Sequence, residues 1–233
     1  MSALTEMEDA QRVIYRSADW YDRLYPQAME WAQQSLQIVK AHADGYVEKV
    51  FDIGCGTGRA LELFQRNGAS VWGVDILPTM VAASKARCPD ANVSLGDMCS
   101  LALDETFDTA ISLGSVFAHA LTDADVQATL GTIARLTRPG GLLVIHVLNG
   151  AAVPAGDVKP EDLSVGARAD DGDYHGEATG RIRRRDSRLL LKRIWHRDGE
   201  PGLGRASRDP SHDAYRVPWL AGSRRFRRPG YRR

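Results

Sequence analysis

The residues whose types and spacing could do chemistry are concentrated in Asp52-Ile53-Gly54-Cys55-Gly56-Thr57-Gly58. Glycines at alternate positions adopt φ/ψ angles closed to other residues, and they let a ligand touch the main chain where a Cβ would collide. If this stretch is a strand-to-helix turn, it also offers free backbone N–H groups and the positive end of a helix. Asp52 sets the sign of the expected ligand, because a carboxylate repels a pyrophosphate and suits an ammonium or a sulfonium. The spacing D-x-G-x-G-x-G also differs from the dinucleotide fingerprint G-x-G-x-x-G. A nicotinamide oxidoreductase is therefore a distant reading. Two further carboxylates, Asp75 and Asp97, close later strand-like runs, and His119 follows another.

The flanking sequence supplies the elements that such a turn needs. Val50, Phe51 and Ile53 have the β-branched and aromatic character of a strand covered on both faces, and residues 60–64 have helical periodicity up to a stop at Asn67-Gly68. Strands are expected over 69–75, 91–98, from Thr106 and over 142–148, with helices over 27–43, from Pro78 to about Arg87 and from Asp123 to about Arg138. Strands alternating with helices predict an α/β, Rossmann-like, doubly wound and mostly parallel sheet. In such sheets ligands sit beyond the carboxyl ends of the strands, so Leu113, Gly114 and the residues up to His119 should form an active-site floor.

The glycine stretch resembles the first motif of the class I S-adenosylmethionine (SAM)-dependent methyltransferases. Gly96-Asp97-Met98 is similar to the third motif, Phe107-Asp108 to the fourth strand, and Arg138-Pro139-Gly140-Gly141 to the turn before the fifth. The match covers about residues 19–149. The resemblance implies SAM as cofactor and S-adenosylhomocysteine as product, with Asp52, Gly54, Cys55, Gly56 and Gly58 around the methionine portion. Asp75, 17 positions after Gly58, would accept from the ribose hydroxyls. Ile76 and Met80 would cover the adenine, Asp97 would accept from its amino group, and Gly96 and Met98 would flank it. Trp20-Tyr21-Asp22-Arg23-Leu24-Tyr25 resembles the segment that forms a lid in small-molecule members, where Tyr21 would reach the cofactor or the transfer channel. Residues 178–184 and 188–196 are similar to a hairpin that amino-sugar and amine N-methyltransferases insert over the acceptor.

A transfer to nitrogen on a small molecule is favoured over oxygen. His119 and Tyr21 are the catalytic candidates, no metal site is expected, and His146 reads as structural. His42, His175, His196 and His212 carry no signal. Other readings stay open: a nucleic-acid methyltransferase, a SAM-cleaving or cyclising enzyme, and a non-catalytic SAM-binding subunit.

Composition sets bounds on these readings. The 233 residues, 43% of them hydrophobic, suffice for one α/β domain with additions. Three cysteines without C-x-x-C spacing suggest reduced thiols, and the acidic first nine residues hold no apolar signal core, so a cytoplasmic location is expected. No membrane span is expected. Zero net charge conceals a division. From Arg181 onward there are 17 Lys and Arg against 5 Asp and Glu, which leaves 13 against 25 in residues 1–180 out of 30 of each in the chain. The expected organisation is a helical lid over 1–45, a SAM-binding core over 46–150, a loop and hairpin cap over 151–199 and a basic tail over 200–233. The tail lacks the family's last helix and strand pair, and much of it is expected to be disordered. An anionic partner such as nucleic acid, a sheet edge completed by another subunit of a homodimer, and a shifted reading frame all remain open as explanations.

Overall fold

The computed structural model describes residue 15, residues 17–147 and strands at 157–158, 174–183, 188–197 and 212–216. Five parallel strands form the main sheet: β1 (Lys49–Ile53), β2 (Ser70–Asp75), β3 (Asn92–Leu95), β4 (Phe107–Ser112) and β5 (Thr137–Ile145), in the order β3-β2-β1-β4-β5. Helices α1 (Ala18–Leu24), α2 (Ala28–His42), α3 (Arg59–Arg66), α4 (Pro78–Arg87) and α5 (Asp123–Leu136) accompany it. The chain leaves β1 towards β2 on one side and later returns to place β4 on the other. Strand order reverses there, so the loops after β1 and β4 diverge and leave a crevice at the carboxyl edge of the sheet.

Alternation along the strands builds a core on each face. Val50 and Ile111 join Ala32, Val39, Leu61 and Phe64, whereas Phe51, Ile53 and Ala110 join Phe107, Ile133 and Leu136. Phe51 and Phe107 stack across β1 and β4 with centroids 5.0 Å apart, and Trp72 meets Phe107 edge-on at 5.3 Å. α5 begins with a capping box, in which Thr122 Oγ1 accepts from Asp125 N–H and Asp125 Oδ2 accepts from Thr122 N–H.

Several expectations are met with shifted bounds. α5 ends at Leu136 rather than near Arg138, and β5 starts at Thr137, before Pro139-Gly140-Gly141. Thr137 pairs with Phe107 and Leu142 with Thr109, so β5 spends five positions where β4 spends two, and the Pro-Gly-Gly turn is the excursion between them. A Cβ on Gly141 would come within 2.7 Å of Asp108 O, which is why the return is a glycine. β3 is shorter than expected and ends at Leu95.

The expected hairpin is part of a larger antiparallel sheet of β6 (Asp157–Val158), β7 (Tyr174–Arg183), β8 (Arg188–Arg197) and β9 (His212–Arg216). β9 falls in the tail, where no element was expected, and its backbone runs beside the turn that follows β4. Of the helical lid expected over 1–45, residues 1–14 and 16 lie outside the described residues.

One side chain fastens the opposite edge of the sheet. Asp108 Oδ2 accepts from the N–H groups of Glu48 and Lys49 at 2.8 and 2.9 Å, and Oδ1 accepts from Arg138 Nε at 2.5 Å. The start of β1, β4 and the start of β5 are thus tied by one carboxylate. Burial alone would raise its pKa, but these N–H groups and the Arg138 charge hold it below the ordinary carboxylate value. Such a group stabilises the fold above its unfolded pKa, and the contribution is lost as pH falls through the folded one. Asp108→Ala should cost about 2–3 kcal/mol of unfolding free energy at pH 7, read by urea melts. The deficit should shrink as pH falls below about 4.

Candidate cofactor site

The glycine turn is folded against the end of β2. Gly54 N–H and Cys55 N–H both donate to Val74 O, at 2.8 and 2.9 Å, and Gly56 N–H donates to Asp75 Oδ2 at 2.9 Å. The other oxygen of Asp75 accepts from Leu77 N–H at 2.9 Å. All three glycines have positive φ (72°, 54° and 81°). They serve different purposes. A Cβ on Gly54 would come within 2.4 Å of Val116, and one on Gly58 within 2.6 Å of Ser84 Oγ, so these two allow close packing of the β4 turn and of α4. At Gly56 the nearest atom is an edge carbon of Tyr21 at 3.9 Å, so this glycine is the one whose missing side chain leaves room beside the main chain.

Two acids lie beneath the turn. Asp52 is 3% exposed, and its Oδ1 has no hydrogen-bond partner among the described residues. Burial, and secondarily the Asp75 charge, push its pKa up to about 8. Asp75 is also raised by burial, against the pull of the N–H groups of Leu77, Gly56 and Ile76. An orphaned buried carboxylate beside an open glycine suits a cationic ligand, and an ammonium or sulfonium is such a ligand. A pyrophosphate would meet two acids. The residues present therefore fit SAM.

The other expected residues fall around this centre. Gly96 N–H donates to Asp75 O at 3.0 Å, so Gly96, Asp97 and Met98 leave β3 next to Asp75. Asp97 Oδ1 accepts from Cys99 N–H at 2.8 Å, leaving Oδ2 for a further donor, and Met98 packs into the core with Phe51 and Phe107. Met80 is 1% exposed, so its side chain offers no free face to an adenine ring. Cys55 turns its sulfur towards Ser84, so only its main chain faces the turn. Ile76 is half-buried beside Asp75.

Beyond β4, Gly114 and Ser115 both have positive φ (63° and 64°), an uncommon conformation for a serine. They lead into a 3-10 turn, Val116–His119. Its first residue packs on Gly54 and its last is His119, so the floor and the glycine turn touch through Val116. Leu113 packs against the core at the entry to this loop. His146 N–H donates to Ser112 O, and His146 O accepts from Ser115 N–H, so the end of β5 holds the same loop. The His146 ring lies 4.7 Å from that of Trp31, its Nδ1 is buried without a partner among the described residues, and burial lowers its pKa.

Of the residues important to this geometry, Ser84 had no part in the expectations from sequence, and Asp22 and Val116 entered only as members of the lid segment and of the expected floor. Asp22 carried a signal, as the acid of the W-Y-D-x-x-Y segment.

Asp52 makes the ligand-free protein sensitive to pH. An acid whose folded pKa is raised keeps its proton longer when folded, so stability falls as pH climbs from about 4 to about 8. Asp52→Asn should therefore raise the melting temperature of the ligand-free protein at pH 8 much more than at pH 5. Thermal melts across that range, with affinity for S-adenosylhomocysteine measured alongside, should show higher stability and weaker binding.

Residues 50–141 match the profile of a family described as Methyltransferase domain. A dTDP-4-amino-2,3,4,6-tetradeoxy-D-glucose N,N-dimethyltransferase of Saccharopolyspora spinosa is 30% identical over 132 residues, which are 55% of this chain and 53% of that protein. A ubiquinone biosynthesis O-methyltransferase of Bradyrhizobium sp. (strain ORS 278) is 36% identical over 105 residues, 43% of this chain and 40% of that one. The chain thus spans about half the length of the curated relatives it matches. The solved structure of SAM-bound CalS10, an amino pentose methyltransferase from Micromonospora echinaspora, superposes with a TM-score of 0.57 at 25% identity, covering 72% of this chain and 68% of that one. Residues 50–141 thus match a methyltransferase domain, and the chain shares the fold of a methyltransferase solved with SAM bound.

Proposed function

We propose that the protein transfers a methyl group from SAM to a small-molecule acceptor, with an amine favoured over a hydroxyl. The observation that supports this most directly is the buried, unpartnered Oδ1 of Asp52 on the strand that leads into the glycine turn, where Gly56 leaves room beside the main chain. The likeness to a sugar N,N-dimethyltransferase supports nitrogen, and the likeness to an O-methyltransferase keeps oxygen as the second reading.

When bound, SAM supplies an activated methyl group on a sulfonium. Asp75 accepts from the ribose, Asp52 balances the positive charge of the methionine portion, and Asp97 receives the adenine amino group. Tyr21, set against Gly56, closes the site from above and excludes water. The leaving group is already good, so holding acceptor and donor in line carries most of the work, and positioning of this kind can contribute about 7–11 kcal/mol. An amine must lose a proton before it attacks. His119, at the end of the turn beyond β4, is the base assigned to that step. We assign residues 46–150 to the cofactor core, 1–45 to the lid, 151–199 to the acceptor cap and 200–233 to a basic tail. Among the described residues no helix is long and apolar enough to cross a membrane.

Incubation with isotopically labelled SAM and a panel of amino-sugar nucleotides, simple amines and hydroxylated aromatics, followed by mass spectrometry, tests the reading. Label on an amine together with S-adenosylhomocysteine is the expected result; label only on hydroxyls would move the assignment to oxygen. Release of methylthioadenosine, or no transfer from bound SAM, would overturn it. Asp75→Ala should weaken SAM binding by about 1–3 kcal/mol through lost bonds to the ribose, measured by calorimetry.

A further inference from the structure

The lid helix α1 has seven residues, two turns at most, and a helix this short does not hold its conformation unaided. What fastens it to the domain is a cluster of charges around Asp22, part-buried at 18% side-chain exposure. Its Oδ1 accepts from Thr57 Oγ1 at 2.6 Å and lies 3.2 Å from Arg59 Nε, and its Oδ2 accepts from Arg87 Nη2. Arg59 also caps the end of the helix, because Nη1 donates to Tyr25 O and Nη2 to Asp22 O, both at 2.6 Å. A cation at this end is favoured by the helix dipole as well as by the free carbonyls. Arg87 donates its Nε to Thr57 O at 2.8 Å, and Glu62 Oε2 lies 3.5 Å from its Nη1.

One carboxylate therefore gathers the lid, the glycine turn through Thr57, the first turn of α3 through Arg59 and the last turn of α4 through Arg87. Withdrawing paired charges from water is costly in itself, but once they are paired, removing one partner leaves the others uncompensated. The arrangement also has a geometric consequence. Tyr21 is the neighbour of Asp22, and its ring, flanked by those of Tyr15 and Tyr25 at 5.5 and 4.9 Å, is what stands against Gly56. Asp22 itself faces the two arginines and Thr57.

We propose that Asp22 is a positioning residue: its ion-paired contact with Thr57, Arg59 and Arg87 latches the lid onto the glycine turn and thereby seats Tyr21 over the cofactor. The inference rests on the proposed cofactor reading for its functional half, while the latch itself can be read without any ligand. Loss of the charge releases α1 and leaves the parallel sheet intact. Cofactor affinity then falls because the closed lid is no longer the resting state.

The test combines calorimetry with S-adenosylhomocysteine and amide hydrogen exchange on the full chain. Asp22→Asn should weaken binding about tenfold or more and speed exchange of the amides of residues 18–25, with those of β1 and β4 unchanged. Asp22→Glu, which keeps the charge, should recover part of the affinity. Arg87→Gln is the second variant, removing one arm of the latch from the far side. It should weaken binding in the same direction, and the double variant should be little worse than Asp22→Asn alone, since both changes break one contact. Unchanged affinity and unchanged exchange at 18–25 would overturn the proposal. So would exchange that speeds equally in β1 and β4, which would make Asp22 a general support of the fold. Failure of the wild-type protein to bind S-adenosylhomocysteine would overturn the cofactor reading instead, and the exchange comparison would still decide whether the latch exists.

Discussion

The glycine turn is held open by bonds that it makes to the neighbouring strand. Val74 O takes two N–H groups from the turn, and Asp75 takes a third with its side chain while its other oxygen caps the approach to α4. The turn carries positive φ at three alternate positions, Gly54, Gly56 and Gly58, with the Cys55 sulfur turned towards Ser84 and the Thr57 hydroxyl towards Asp22. The end of β2 thereby supplies both the carboxylate expected to meet the ribose and the frame on which the methionine end must rest. Without that frame the turn could close over Gly56, and nothing else in the site would have a surface to act on.

The same frame creates an electrostatic conflict. Asp52 and Asp75 are both buried near a turn whose N–H groups satisfy only one of them. In a protein selected for stability alone, Asp52 would be apolar. Retaining it keeps an acid whose charge is disfavoured until a cation arrives, a form of stored strain expected at a binding site. The unpartnered Nδ1 of His146 and the positive φ of Ser115 are on the other wall of the crevice, so departures from ordinary packing gather along one edge of the sheet. At the opposite edge Asp108 takes three backbone or guanidinium donors.

Much of this was legible because parallel strands and their turns leave local marks. Three glycines after an apolar strand, an acid one crossover later and a Pro-Gly-Gly return each report a backbone requirement, and the structure uses each at that requirement. What was illegible depends on contacts between distant segments. Val116 filling the space at Gly54, Ser84 against Gly58, and Arg87 reaching Asp22 across 65 positions leave no periodic trace. Met80 shows a second limit: helical spacing can place a side chain on the inner face of α4 but cannot say whether that face meets ligand or core, and at 1% exposure Met80 is buried there. β9 was missed because five residues between Pro- and Gly-rich stretches become a strand only when β8 offers an edge to pair with.

Binding of a sulfonium nucleoside at Gly56, with Asp75 and Asp52 nearby, is tested most directly by a crystal structure of the protein with S-adenosylhomocysteine. It should show the homocysteine portion in contact with the main chain at Gly56, the ribose hydroxyls on Asp75 and the ring of Tyr21 above them. A ligand bound elsewhere, or a turn closed over Gly56 with the ribose away from Asp75, would contradict it.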